Sequence, residues 1–165
     1  RLGWVDRAHE LLDFFLASRR PAAWNQWAEV VGREARRPRF IGDMPHTWVG
    51  SDYIRSFLDL FAYVRESDRS LVLAAGVPEA WLAGTRGVAV RGLRTPYGPL
   101  DYALARSGRE LRLDVGAGVT PPPGGLVFRI PGEGAVQRVT INGRDGACVS
   151  RECVLRTVPA RVIVR

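Results

Sequence analysis

The rhythm of apolar residues changes once along this chain, and that change constrains the fold more than any other feature. Up to about Val64 the apolar positions recur every three or four residues; from Ser70 onward they alternate. The first spacing gathers side chains on one stripe of a helix, and the second puts them on one face of a strand. The expected fold class is therefore α+β: a helical segment over 1–66, followed by an antiparallel β-sandwich of about seven or eight strands over 67–165.

In the first half, Trp4, Ala8, Leu11, Leu12, Phe15 and Leu16 predict an amphipathic helix ending near Arg19. Pro21 suits the opening of a second, Ala22 to about Ala35, carrying Trp24, Trp27, Val30 and Val31, which Arg36-Arg37-Pro38-Arg39 breaks. A third runs from Asp43 to Val64 with Val49, Ile54, Phe57, Leu58 and Phe61 on its apolar stripe. Asp43 is placed to accept the first free helix N–H groups, and Pro45 suits the opening turn. Three such helices make a thin bundle, so they are expected to be the last members of a larger helical array. The chain also opens on Arg1 rather than methionine, and it is expected to be a piece of something longer.

Strands are predicted at Leu71–Ala75, Val88–Leu93, Leu100–Leu104, Leu111–Val115, Leu126–Ile130, Val136–Ile141, around Cys148 and at Ala160–Val164. Pro96-Tyr97-Gly98, Ser107-Gly108, the proline run at 121–123 with its two glycines, Pro131-Gly132 and Asn142-Gly143 supply the turns between them. Pro78 to Leu82 reads as a single helical turn that lays the Trp81 indole over the junction between layers.

With 46% hydrophobic and 25% charged residues the composition is that of a globular chain, and no apolar run is long enough to span a bilayer. The net charge of +7 comes entirely from arginine and is scattered over both halves, which argues against a nucleic-acid footprint. Only Arg33, Arg36, Arg37 and Arg39 cluster, as a phosphate contact or a solvated helix end. Cys148 and Cys153 have no second pair to complete a zinc site. They either bridge the arms of a hairpin, which would favour an extracytoplasmic setting, or remain two free core thiols. No glycine-rich phosphate loop follows a strand and no Ser/His/Asp spacing stands out, so neither a cofactor nor a metal is expected. His9 reads as a half-exposed helix residue.

The chemistry-bearing candidates lie near the start of the third helix. An imidazole hydrogen-bonds sugar hydroxyls while an indole face stacks on the C–H side of the ring, which nominates His46 and Trp48. The competing reading makes His46 a helix cap and Trp48 a core residue. Trp24 and Trp27 are candidates of the same kind, against a core role for both, and Asp52 would line the same mouth.

Three sequence words in fixed order resemble a known family. Trp24-Asn25-Gln26-Trp27 is similar to the tryptophan-flanked segment of the six-hairpin, (α/α)6-barrel glycoside hydrolases of the α-L-rhamnosidase kind, family 78 and its relatives. Met44-Pro45-His46-Thr47-Trp48, with the aromatic helix that follows it, resembles the last barrel helix of those enzymes. Thr95 to Leu100, Glu110 to Val115 and Val139 to Gly143 resemble the turn and strand words of their appended β-sandwich. The resemblance implies the C-terminal fragment of a bacterial-type glycoside hydrolase, contributing part of a sugar site and a supporting sandwich but not catalytically complete alone. Inverting members of such families use two carboxyl groups several ångströms apart, one as acid and one as base. The family's basic glutamate falls between the two tryptophans, where this chain has Asn25; Glu29, one helical turn on, is the carboxylate nominated in its place, against its reading as a solvated helix glutamate. The implied partners are carbohydrate and the upstream helical catalytic region of the same polypeptide. The alternative is a non-catalytic carbohydrate-binding or interaction module, with Tyr97 and Tyr102 as its candidate sheet aromatics.

Overall fold

The structure, a computed structural model, describes residues 1–30, 42–83 and 86–165. Arg1–Asp59 form one unit and Leu60–Arg165 a second. The class is α+β, with helices first and a two-sheet sandwich after them.

In the helical unit, α1 spans Val5–Ala17 and α2 spans Thr47–Asp59. The predicted second helix does not form over its described residues. Ala22–Trp24 make one 3-10 turn, ended by Asn25 in the left-handed conformation at φ 49°. Asn25 accepts a hydrogen bond from the Arg19 guanidinium, and Gln26 is tied to Arg20 twice, its carbonyl accepting the Arg20 N–H and its Nε2 donating to the Arg20 carbonyl. These bonds give the backbone a better offer than a helical ladder at a residue that tolerates positive φ. The rest of that predicted helix and the arginine cluster at 33–39 lie outside the described residues.

The third helix is shorter than the apolar pattern suggests, because Ala62–Arg65 leave it to become strand β1. Leu60 to Val64 satisfies a helical and an extended reading alike; pairing of Ala62 to Arg65 with Leu73 to Ser70 decides for the strand.

Among the described residues, eleven strands form the second unit. The sequence order is β1 Ala62–Arg65, β2 Ser70–Leu73, β3 Val88–Thr95, β4 Gly98–Ser107, β5 Glu110–Val115 and β6 Leu126–Arg129, then β7 Val139–Ile141, β8 Arg144–Asp145, β9 Cys148–Val149, β10 Glu152–Leu155 and β11 Ala160–Val164. One sheet runs β1-β2-β6-β10-β9, the other β3-β4-β5-β11-β7-β8. Among the described residues β2 and β6 pair in parallel and the other strand pairs are antiparallel. The strands beyond those predicted are β1, read as helix, β8, whose two residues are too few for an alternation to register, and β10, since the strand predicted around Cys148 is a hairpin of β9 and β10.

The alternation does its expected job in the longer strands. Leu100, Tyr102 and Leu104 of β4 and Leu111, Leu113 and Val115 of β5 face Leu71, Leu73, Leu126, Phe128 and Leu155 of the other sheet across one buried core. Asn142 and Gly143, both at positive φ, make the two-residue turn between β7 and β8 that their dipeptide predicts. Glu79–Leu82 form the predicted single turn, and the Trp81 ring lies 6.1 Å from that of Phe61 at 27°.

Candidate functional site

Trp27 is the hub of the helical unit. Its indole N–H donates to the Phe15 carbonyl at the end of α1 (2.6 Å), its ring stacks on Tyr53 of α2 (4.9 Å between centroids, 30°), and it is buried. The next residue, Ala28, is buried too. The segment then runs beside the approach to α2: His46 N–H donates to the Trp27 carbonyl (2.7 Å) and Glu29 N–H to the Asp43 carbonyl (3.0 Å). This two-bond ladder brings Trp27, Glu29 and His46 into one neighbourhood.

His46 caps α2. Its Nδ1 accepts the Val49 N–H at 3.4 Å, a long bond to the third residue of the helix, where an orphan donor needs a partner. That is the role expected of Asp43, whose backbone carbonyl instead serves Glu29. With Nδ1 engaged as an acceptor, Nε2 is the ring nitrogen left to donate.

The Trp48 ring lies 6.4 Å from that of His46 and 16° from parallel, and Trp48 is 72% exposed. It is therefore not a core residue. Asp52, exposed, stands four residues further along α2 and so on the same flank as Trp48. Trp24 is also 72% exposed, on the 3-10 turn. Of the four tryptophan and histidine candidates, Trp27 is core, His46 is a cap, and Trp24 and Trp48 present free indole faces.

Glu29 is exposed and lies at a bend outside any helix, so the helical relation to Asn25 that nominated it does not exist here. Its side chain lies against Gly42: a Cβ built on Gly42 would come within 2.8 Å of both the Glu29 Cβ and its Oε2. Gly42 therefore gives Glu29 the room to lie along the chain. Among the described residues no group of three or more His, Cys, Asp or Glu side chains is arranged to hold a metal ion.

A second polar centre, not singled out in the sequence, lies on the sandwich. Arg65 forks between Asp68 (2.8 Å) and Glu152 (2.9 Å), linking β1 to β10. The hydrogen bond from Arg65, with help from Ser70, holds the Asp68 carboxyl down at about 2. Tyr102 is buried and donates its hydroxyl to the Phe61 carbonyl (3.0 Å); desolvation pushes its phenol pKa above the ordinary value. A third feature, a groove at the β8–β9 edge, adjoins the Cys148–Cys153 disulfide. The cysteine spacing was its only signal in the sequence.

No protein-family model, curated protein or solved structure matches the chain. The resemblance to six-hairpin glycosidases rests on its sequence words alone.

Proposed function

We propose that this chain is the C-terminal part of a glycoside hydrolase, in which the helical unit contributes the rim of a sugar site and the sandwich supports it. The observation that carries this reading is the pair at the start of α2: a histidine fixed by its capping bond, beside a nearly parallel tryptophan whose face is open to solvent. A free indole face and a preoriented imidazole donor are what a sugar ring asks of a protein: one apolar surface for its C–H side and one directed hydrogen bond for a hydroxyl. Asp52 on the same flank would accept from a second hydroxyl, and Trp24 would extend the stacking surface.

Catalysis is assigned to the whole protein and not to this chain. Glu29 is the carboxylate proposed to act on water, and its acid partner is proposed to come from the helical catalytic region of the same polypeptide. The uncovered apolar faces of α1 and α2 support such a partner, since neither helix has a fully buried residue. An extracytoplasmic location is proposed from the bridged cysteines, because such bonds persist in oxidising compartments.

The alternative, a non-catalytic carbohydrate-binding or interaction module, needs aromatics displayed on the sheet. Tyr102 is buried and Tyr97 packs against the core, so neither offers that platform.

The test is a tryptophan-fluorescence titration of the chain with a panel of monosaccharides, repeated on Trp48→Ala. Saturable quenching that disappears in the variant supports the sugar rim; no quenching by any sugar, or quenching indifferent to Trp48, refutes it. Turnover of aryl glycosides by the chain alone would refute the assignment of essential acid chemistry to another region.

A further inference from the structure

The hairpin of β9 and β10 closes through Ser150 and Arg151, at φ 48° and 66°. A two-residue turn with both residues left-handed suits Asn-Gly; here neither position is glycine, so the turn is disfavoured by its own backbone. Two features hold it. One is the Cys148–Cys153 disulfide, which joins residues already paired across the ladder. The other is the Arg151 guanidinium, which donates to three carbonyls of the facing loop, Ile130 (3.3 Å), Pro131 (2.9 Å) and Gly134, while the Arg151 carbonyl accepts the Ile130 N–H (2.9 Å).

The hairpin tip and loop 130–134 are thus one assembly, and together they wall a groove of about 710 Å³ whose lining includes Glu133, Gln137, Arg138, Asp145, Cys148 and Arg151. The two sulfurs differ in access: Cys148 is half-buried and lines the groove, whereas Cys153 is wholly buried in the sandwich core. β9 pairs with β10 at two positions, packs Cys148 against the core, lies at the edge of its sheet, and leaves Val149 exposed. By contrast β10 is registered with β6 over four pairs, Leu155 to Glu152. The covalent loop is short, with a separation of five residues, so the bond constrains the unfolded chain little and acts on the local conformation.

We propose that the Cys148–Cys153 disulfide is a redox latch on this groove, whose reduction frees β9 and loop 130–134 while the sandwich core stays folded. A dithiol reductant gives up two electrons and two protons and becomes a disulfide; the S–S bond breaks and thiols remain at Cys148 and Cys153. The left-handed turn then relaxes, Arg151 leaves its three carbonyls, and the groove loses both walls.

Hydrogen exchange of the full chain, with and without dithiothreitol, reads this directly. Reduction is expected to speed exchange about tenfold or more at Ile130 and across 146–152, with β4, β5 and β11 unchanged. Unaltered exchange on reduction overturns the latch, as does loss of protection throughout the sandwich, which would make the bond a global staple. A mass showing free thiols in the untreated chain overturns it as well. Arg151→Lys in the oxidised protein keeps the charge but loses the fork, so it should loosen 130–134 and leave the β9 amides protected; if loop 130–134 stays protected, the coupling between hairpin and loop is refuted.

Discussion

Trp27 offers the sharpest test of how the helical unit is held together. Replacing it with alanine removes a side chain of about 200–250 Å² that is almost wholly buried, which at about 25 cal/mol per Å² is worth roughly 5 kcal/mol as an upper bound. Measured truncations of buried tryptophan fall at about 3–5 kcal/mol. The indole N–H bond to the Phe15 carbonyl adds about 1 kcal/mol, and that carbonyl keeps its bond from the Ser18 N–H (3.1 Å). Against this, α1 and α2 have no fully buried residue of their own to fall back on. Trp27→Ala should therefore unfold the helical unit, while Trp24→Ala and Trp48→Ala, which empty no core, should shift stability by less than about 0.5 kcal/mol. Trp27→Phe keeps a ring against Tyr53 but loses the donor, and should cost about 1–2 kcal/mol. Circular dichroism at a helix-sensitive wavelength, followed through a urea titration, separates these outcomes. If Trp27→Ala retains the helical signal and midpoint of Trp48→Ala, the assignment of Trp27 as the hub is wrong.

Two further perturbations act on the sandwich. The Asp68 carboxyl is held at about 2, chiefly by its hydrogen bond from Arg65, below its unfolded value near 4. A depressed acid stabilises the fold above the unfolded value and ceases to as pH falls through about 2; Asp68 is largely solvated, so after screening the effect is below about 1 kcal/mol. Asp68→Asn should therefore lower the urea midpoint at pH 6 and not at pH 2; equal losses at both would refute the ionic account. Tyr102→Phe removes the hydroxyl's bond to the Phe61 carbonyl, which keeps its bond from the Ala74 N–H (2.9 Å), and should cost about 1 kcal/mol at pH 7. Because burial raises the Tyr102 phenol, the folded state keeps a proton that the unfolded chain releases, so its contribution is whole below about pH 10 and shrinks as pH rises beyond. The gap between wild type and Tyr102→Phe should narrow at pH 11, and a gap independent of pH would refute it.

The sandwich was legible in the sequence wherever strands were long enough to alternate. Leu111, Leu113 and Val115, or Val162 and Val164, declare a buried face, and Asn142-Gly143 declares its turn. Residues 60–65 misled because Leu60, Phe61 and Val64 fit a helical spacing as well as a strand, and pairing of Ala62 to Arg65 with the next strand, Ser70 to Leu73, settles the segment. Trp24 and Trp27 misled differently. Their spacing is helical, yet Asn25 turns left-handed between them and sends one indole to solvent and the other inward. At the candidate site, the sequence offered His46 both as a ligand-binding side chain and as a helix cap, and its bond from the Val49 N–H bears out the cap, while the paired reading of Trp48 as core fails because Trp48 is exposed. The Arg65–Asp68–Glu152 fork was invisible because its third member comes from a strand 87 positions away.

The two units stand in different relations to water, and that difference bears on the proposed function more than any single side chain. In the sandwich, two sheets close on each other and the alternating faces are consumed. In the helical unit the amphipathic stripe of α1 is itself outward: Trp4 is 70% exposed and Leu11 60%, and Ile54, Phe57 and Leu58 of α2 are exposed as well. Scaled by the usual areas of such side chains, these five residues together expose on the order of 500 Å² of apolar surface, toward the upper end of what a monomer ordinarily leaves in water as one patch. A helix stripe left in water has no reason to be continuous, since surface positions tolerate polar residues without loss. The large apolar side chains left in water on both helices are what the proposed partner helices, packed by the same ridge spacing, would cover. Dye binding and sedimentation of the chain decide the matter: strong 1-anilinonaphthalene-8-sulfonate fluorescence that falls in Leu11→Gln/Ile54→Gln supports an uncovered face, whereas a dye-silent monomer refutes it and with it the need for further helices.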